Sequence, residues 1–304
     1  MIFTSGGPVA DDVETLAAAV RRVSPGFVAA EVVHRSATSV LLGGEVWGEP
    51  VVAKGLVSQS PFWRETFARE IDTYRFFDRQ RPPFQVPKLM VADDRHPLLV
   101  LERLDAAPIS TSRNPTEEIP TRQMAAVFTA LRRVHDWRAP IGLLPRPLDY
   151  RSRMERYRRG GQLTEDEYGQ VTKLLAAVGD ASEFCHGDLV LPHVLRRMDG
   201  YKEGDYALVD WAFAGVFLPG FDLARLWTVL RATFGVRSEI EDSVRGRGQD
   251  AWNAFLVNLT VVLAQELRTH REQPSEPERV ERLAGLEQDW RTIRDRLSLA
   301  AAAG

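Results

Sequence analysis

Cysteine is nearly absent from this chain: Cys185 is the only one in 304 residues. No intramolecular disulfide can form, and a zinc site built on several thiolates is excluded. An excess of positive charge is also missing. Lys plus Arg is 39 and Asp plus Glu is 42, a formal net charge of −3. A dedicated nucleic-acid binder carries a clear basic excess, so no nucleic-acid partner is expected. Long apolar runs are lacking too. The most apolar late stretch, residues 254–264, is interrupted by Asn258 and falls well short of the roughly 20 residues that cross a bilayer. A buried helix is expected there, and no membrane partner. Residues 1–12 lack the basic stretch and apolar run of a signal peptide, so a cytoplasmic location is expected.

What is present suits a folded protein. Hydrophobic residues make up 44% and charged residues 27%, enough apolar material to offset the entropy of ordering the chain. The length suggests two domains or lobes. Residues 11–23 have helical spacing. Residues 27–33, 39–46 and 51–54 read as strands rich in Val and Leu, with Gly43-Gly44 as a hairpin turn and 48–50 as a second turn signal. Residues 62–77 form an amphipathic pattern with Phe67, Ile71 and Tyr74 on one side, stopped by Arg81-Pro82-Pro83. Residues 86–92 and 98–102 read as two more strands. An antiparallel sheet with a packed helix fits this order. Residues 105–120, rich in Ser, Thr, Pro and Ala, read as a connection. After 121 the pattern is mostly helical, over 122–135, 150–159, 165–178, 221–234, 250–268 and 278–299. The basic run 151–159 reads as a solvated helix face.

One stretch, 184–211, interrupts the helices. It contains Cys185-His186-Gly187-Asp188 and, five residues after the Asp, His193; Asp210-Trp211 follows an apolar strand. Two convergent carboxylates suit a divalent-metal phosphoryl-transfer site, where one holds the ion and the other takes a proton. An Asp at a strand end is also an ordinary turn or cap residue.

The ordered set resembles the catalytic segment of the aminoglycoside phosphotransferase-like family, which includes choline kinase types. That family's pattern is H-G-D-x-x-x-x-N, an apolar strand, then D-W, D-F or D-Y. Leu218-Pro219-Gly220-Phe221-Asp222-Leu223-Ala224 resembles its D-P-x-x-D-L-A run. Val51-Val52-Ala53-Lys54 resembles the kinase strand whose lysine contacts the α- and β-phosphates, and Glu70 the helix glutamate that pairs with it. Glu65 is a weaker candidate. Residues 98–104 resemble the strand and hinge whose backbone bonds adenine, which brings in Glu102 and Leu104. The resemblance covers roughly 37–226.

The resemblance implies an α+β, protein-kinase-like fold: a nucleotide-binding N-lobe (1–104) with an antiparallel sheet and helix, and a mainly helical C-lobe (105–304). It implies an ATP- or GTP-dependent phosphotransferase acting on a small-molecule hydroxyl, working as monomer or homodimer. Aminoglycosides, other antibiotics, sugars and amino-alcohols are all acceptors compatible with it. Asp188 would be the base, Asp210 the Mg²⁺ ligand, and Asp222, His186 and His135 structural supports.

Two departures stand out. His193 replaces the family Asn, and imidazole is a poorer donor than oxygen for Mg²⁺. Three readings stay open: an active enzyme with altered metal binding, a nucleotide-binding pseudokinase without turnover, or a side chain turned away with water in its place. The segment 35–40, at the position of a phosphate-covering loop, has no glycine; Ser36, Thr38 and Ser39 would approach phosphate there, or form an ordinary Ser/Thr turn. A protein kinase is disfavoured, because Gly187 stands where Arg precedes the catalytic Asp and Ala212 follows Trp211.

Overall fold

A computed structural model describes residues 9–140, 142, 144–198, 206–272 and 277–303. The chain begins α1 (Val9–Val23), β1 (Phe27–Arg35), β2 (Ser39–Val46), β3 (Glu49–Leu56), α2 (Pro61–Gln80), β4 (Leu89–Asp93), β5 (Leu98–Glu102) and β6 (Ala106–Pro108). It continues α3 (Thr121–His135), α4 (Tyr150–Arg159), α5 (Glu165–Val178), β7 (Glu183–Cys185), β8 (Val194–Arg197), β9 (Tyr206–Leu208) and β10 (Gly215–Phe217). Four helices close it: α6 (Phe221–Val229), α7 (Val236–Arg245), α8 (Gln249–Glu272) and α9 (Pro277–Ala303). Two compact units result, Met1–Ile109 with His193–Ala214, and Ser110–Pro192 with Gly215–Gly304.

In the first unit five antiparallel strands pair in the order β1-β2-β3-β5-β4. Leu16, Ala17 and Val20 of α1 pack into a core with Val40, Leu42, Val51, Ala53 and Val100. Alternation along β3 matters for function. Val51 and Ala53 are buried in that core, so Lys54, the next residue along the strand, faces the other side of the sheet. Helix α2 starts at Pro61, whose missing N–H costs nothing in a first turn. Its buried face carries Phe67, Ile71, Tyr74 and Phe77 at helical spacing, with Glu70 among them. β6, β8 and β9 form a separate three-stranded sheet, so the stretch expected to be only a connection contributes a strand.

The hairpin turn is not at Gly43-Gly44, as the sequence suggested. Both glycines lie inside β2, paired with Val52 and Val51. The turn is Trp47-Gly48, with φ of 55° and 85°, the left-handed pair of a two-residue hairpin. The glycines of β2 serve close approach instead: a Cβ on Gly44 would lie 2.4 Å from the Val28 carbonyl oxygen, and one on Gly43 2.7 Å from Arg103 Nη1.

In the second unit β7 pairs with β10 amid the helices. Most of α8 is buried. Asn258, which interrupts its apolar run, accepts a 2.6 Å hydrogen bond from Tyr150 Oη and donates to the carbonyls of Leu218 and Pro219. The polar residue is tolerated because it is satisfied. The expected helix over 221–234 ends at Val229, and α7 follows it from a left-handed Gly235. Trp211, Trp227, Trp252 and Trp290 are buried. No described helix is long and apolar enough to cross a membrane.

Candidate active site

The first unit gathers three charged groups. Lys54 Nζ lies 2.7 and 3.0 Å from the two oxygens of Glu70 and 3.1 Å from Asp210 Oδ1. The Lys54 and Glu70 side chains are 13% and 2% exposed, whereas Asp210 is 39% exposed. Burial alone would lower the Lys54 pKa; the carboxylates of Asp210 and Glu70 outweigh it and hold the ammonium above its usual range. Burial pushes Glu70 up, to about 7, against the pull of Lys54, and Asp210 adds to the rise. The one ammonium thus serves both carboxylates.

Asp210 reaches this position through a local constraint. Its φ is 65°, a left-handed conformation that Asp tolerates better than most residues. On one side, the Val209 amide donates to the His193 carbonyl. On the other, Trp211 is fully buried, stacked on Phe84 at 5.3 Å and edge-on to Phe77 of α2 at 4.8 Å. Its indole N–H donates to the Leu208 carbonyl. The tryptophan therefore ties the Asp210 backbone to the helix that carries Glu70. His193, at the end of a single 3₁₀ turn, brings Nε2 to 3.5 Å from Asp210 Oδ2. The imidazole and the carboxylate thus share one locality.

Asp188 belongs to the second unit. It follows β7 in a loop where Gly187 has φ 84°. The loop backbone is held from below by Asp222, fully buried, which accepts the amide N–H groups of His186 and Gly187 at 2.8 and 2.9 Å. His135 Nε2 lies 3.4 Å from the same carboxylate. Burial would raise the Asp222 pKa, but its hydrogen bond with His135 and the charges of His135 and His186 lower it. His186, fully buried, presents Nδ1 to the Asp188 amide at 3.4 Å. Asp222, His186 and His135 thus form a scaffold under Asp188. Cys185 beside them is buried, and burial first among several causes pushes its thiol well up.

The Asp188 side chain is engaged. Arg113 places its guanidinium fork on both carboxylate oxygens, at 2.7 and 2.9 Å. Arg225 Nε faces Oδ1 at 3.6 Å. Sequence reading missed both arginines. Arg113 sits in the stretch taken for a connection, and Arg225 was one of many on the later helices; neither pattern nor hydropathy marks them.

The remaining candidates lie elsewhere in the first unit. Ser36 Oγ accepts the amides of Thr38 and Ser39 and contacts both their hydroxyls, closing a Ser/Thr turn between β1 and β2. Ser39 opens β2 opposite Leu56, two residues from Lys54 along β3. Glu102 ends β5, and its carboxylate accepts the Lys88 amide. Leu104 follows after Arg103, whose amide donates to the Pro50 carbonyl.

Residues 56–294 match the model of the phosphotransferase enzyme family, APH. The chain belongs to this family. The match begins two residues after Lys54 and includes Glu70, Asp188, His193 and Asp210. Solved structures show the same fold at low identity. A thermostable variant of aminoglycoside phosphotransferase APH(4)-Ia, in ternary complex with ADP and hygromycin B, has a TM-score of 0.57 and 12% identity, over 95% of this chain and 99% of that one. Aminoglycoside 2'-phosphotransferase-IIIa with GDP has a TM-score of 0.59 and 12% identity, over 91% and 98%. APH(2'')-Ib with ADP has a TM-score of 0.53 and 14% identity, over 91% and 96%. No curated protein matches the sequence. This phosphotransferase-family chain therefore has the α+β, protein-kinase-like fold, with an antiparallel N-terminal sheet and a helical C-terminal part.

Proposed function

We propose that this protein transfers the γ-phosphoryl group of ATP or GTP to a hydroxyl of a small molecule. The observation that carries the reading is the buried Lys54 ammonium held by Glu70 and Asp210. A long, flexible cation is useful against phosphate only if its position is set in advance. Glu70 supplies that restraint from α2. The family match and the nucleotides bound to the similar structures support the same reading.

Residues 1–104 then act as the nucleotide lobe and 105–304 as the catalytic and acceptor lobe. Lys54 meets the α- and β-phosphates, the backbone at 102–104 meets the base, and the Ser36–Ser39 turn lies over the phosphates. The donor set fits Mg²⁺ through Asp210, because this ion is commonly held by one or two carboxylates together with substrate phosphates and water. His193 is the second candidate ligand, though nitrogen is the poorer donor. When bound, the ion offsets charge on the β- and γ-phosphates. Asp188 orients the acceptor hydroxyl and takes its proton. The acceptor oxygen bonds to the γ-phosphorus as the bond from that phosphorus to the β–γ bridging oxygen breaks, which releases the nucleoside diphosphate. Catalysis is then positioning and charge compensation.

The test is a thermal-shift titration with ATP and GTP, with and without Mg²⁺, on wild type and Asp210→Ala. A ligand bound to the native state raises its melting temperature. A Mg²⁺-dependent rise, lost in Asp210→Ala, is the expected result. A rise indifferent to Mg²⁺ supports a nucleotide-binding pseudokinase, and no rise with either nucleotide overturns the reading. In a turnover assay Asp188→Asn loses about 10²–10⁴-fold in rate, the worth of a general base, and keeps the nucleotide shift.

A further inference from the structure

The surroundings of Asp188 are unusual for a base. Both of its oxygens are taken by the Arg113 fork, which meets them as a planar bidentate pair. Arg225 stands behind, 5% exposed, with Glu266 at 2.9 Å. Its buried Nε makes no hydrogen bond and faces Asp188 Oδ1. Glu266 also lies 3.9 Å from Arg113. Positive charge continues beyond this group: Arg231 and Arg237 share one carboxylate, Asp289, and Arg282 has a second buried Nε without a hydrogen bond. The groups named are five arginines against Asp188, Glu266 and Asp289. Arg231, Arg237 and Arg282 also donate to the carbonyls of Gly285, Trp227 and Thr228, so the donor left over beside Asp188 is the Arg225 Nε.

We propose that the acceptor molecule carries an anionic group, a carboxylate or a phosphate, and that Arg113 binds it beside Asp188 with Arg225 in support. The inference rests on the phosphotransfer reading and adds a substrate class to it. Two facts favour Arg113 as the mobile partner. Its side chain is 41% exposed, whereas Arg225 is 5% exposed and tied to Glu266. Its fork suits carboxylate and phosphate alike. An acceptor anion that takes the fork leaves the Asp188 oxygens open to the hydroxyl of the same molecule. Binding and release of the base become one event. A polycationic acceptor cannot make this exchange, because it would set like charge against Arg113 and Arg225.

The experiment uses inorganic phosphate as probe, at constant ionic strength, with spermidine as the cationic counterpart. Thermal shifts are read for wild type, Arg113→Gln and Lys54→Met. The expected result is a phosphate shift in wild type and Lys54→Met that is lost in Arg113→Gln, with spermidine giving none. An equal phosphate shift in Arg113→Gln, or a spermidine shift with no phosphate shift, overturns the proposal. A companion turnover assay compares the anionic glycerate and glycerol phosphate with neutral glycerol and cationic serinol, three-carbon compounds that all carry a primary or secondary hydroxyl. Where an anionic member is phosphorylated, Arg113→Gln raises its KM at least about tenfold, the worth of one charge-assisted hydrogen bond, and leaves the KM for ATP unchanged. Turnover confined to serinol or glycerol overturns the proposal. The Mg²⁺–ATP shift reports on the phosphotransfer reading separately, because Arg113 has no part in it.

Discussion

Glu70 meets Lys54 with both carboxylate oxygens, at 2.7 and 3.0 Å, in a site where neither side chain is more than 13% exposed. Removing one partner of a buried pair leaves the other charge without compensation, typically at a cost of about 3–5 kcal/mol. Here Asp210 remains 3.1 Å from the ammonium. With the ammonium still compensated and burial already opposing charge on Glu70, Glu70→Ala is expected to cost less than that, about 1–2 kcal/mol, in chemical denaturation. A loss much below about 1 kcal/mol would show that water reaches the pair.

His193→Asn returns an amide oxygen to the position where the family has one. Oxygen is the better donor for Mg²⁺. The variant is expected to need less Mg²⁺ for half-maximal nucleotide shift than wild type, with nucleotide affinity at saturating Mg²⁺ little changed. Titration of Mg²⁺ at fixed ATP reads this directly. An unchanged Mg²⁺ requirement would remove His193 from the ligand set.

The scaffold under Asp188 sets a pH dependence. Burial opposes charge on His135, but the Glu183 carboxylate and the hydrogen bond to Asp222 outweigh it and raise its pKa above 6.5. The native state thus holds this proton more tightly than the unfolded chain. The stabilisation is complete below 6.5 and is lost as pH rises through the native value. Asp222 has its pKa lowered from 3.8, so its share is present above 3.8 and is lost as pH falls through the native value. The contribution of the pair should be greatest between these limits. Wild type minus His135→Gln, in melting temperature against pH, is expected to fall on the alkaline side; a flat difference would show that the ring does not titrate differently in the native state over that range.

Trp211 anchors the backbone beside Asp210. Trp211→Ala empties a fully buried site against Phe77 and Phe84, at an expected cost of about 3–5 kcal/mol. Trp211→Phe keeps an aromatic ring there and is milder. Denaturant midpoints rank the two. The Mg²⁺–nucleotide shift of the folded Trp211→Phe protein should be reduced as well, because Asp210 loses the Trp211–Leu208 hydrogen bond that steadies its strand end.

Much of the fold was legible because its signals are periodic. The strand pairs around Val51–Lys54, the helix carrying Glu70, and helices α4 and α5 each depend on a repeat of apolar residues within one segment. The Lys54–Glu70 pair followed from the resemblance, and the structure brings the two together. The hairpin was misread because Gly43-Gly44 and Trp47-Gly48 are both turn-like as text. What separates them is the Val28 carbonyl of β1 and Arg103, just past β5, which lie against the first pair.

The sequence by itself determined the elements, their order and the chemical types placed at strand ends and loop tips. These follow from alternation, helical spacing and local turn chemistry, all of which act within a few residues. Only the tertiary structure decided which charges meet. Lys54 finds Asp210 across 156 residues, and Asp188 finds Arg113 across 75. An arginine looks the same in the sequence whether it is exposed, as Arg151 and Arg156 of α4 are, or laid on a carboxylate. The difference lies in burial and in the partner that folding delivers, and neither is encoded in any local pattern.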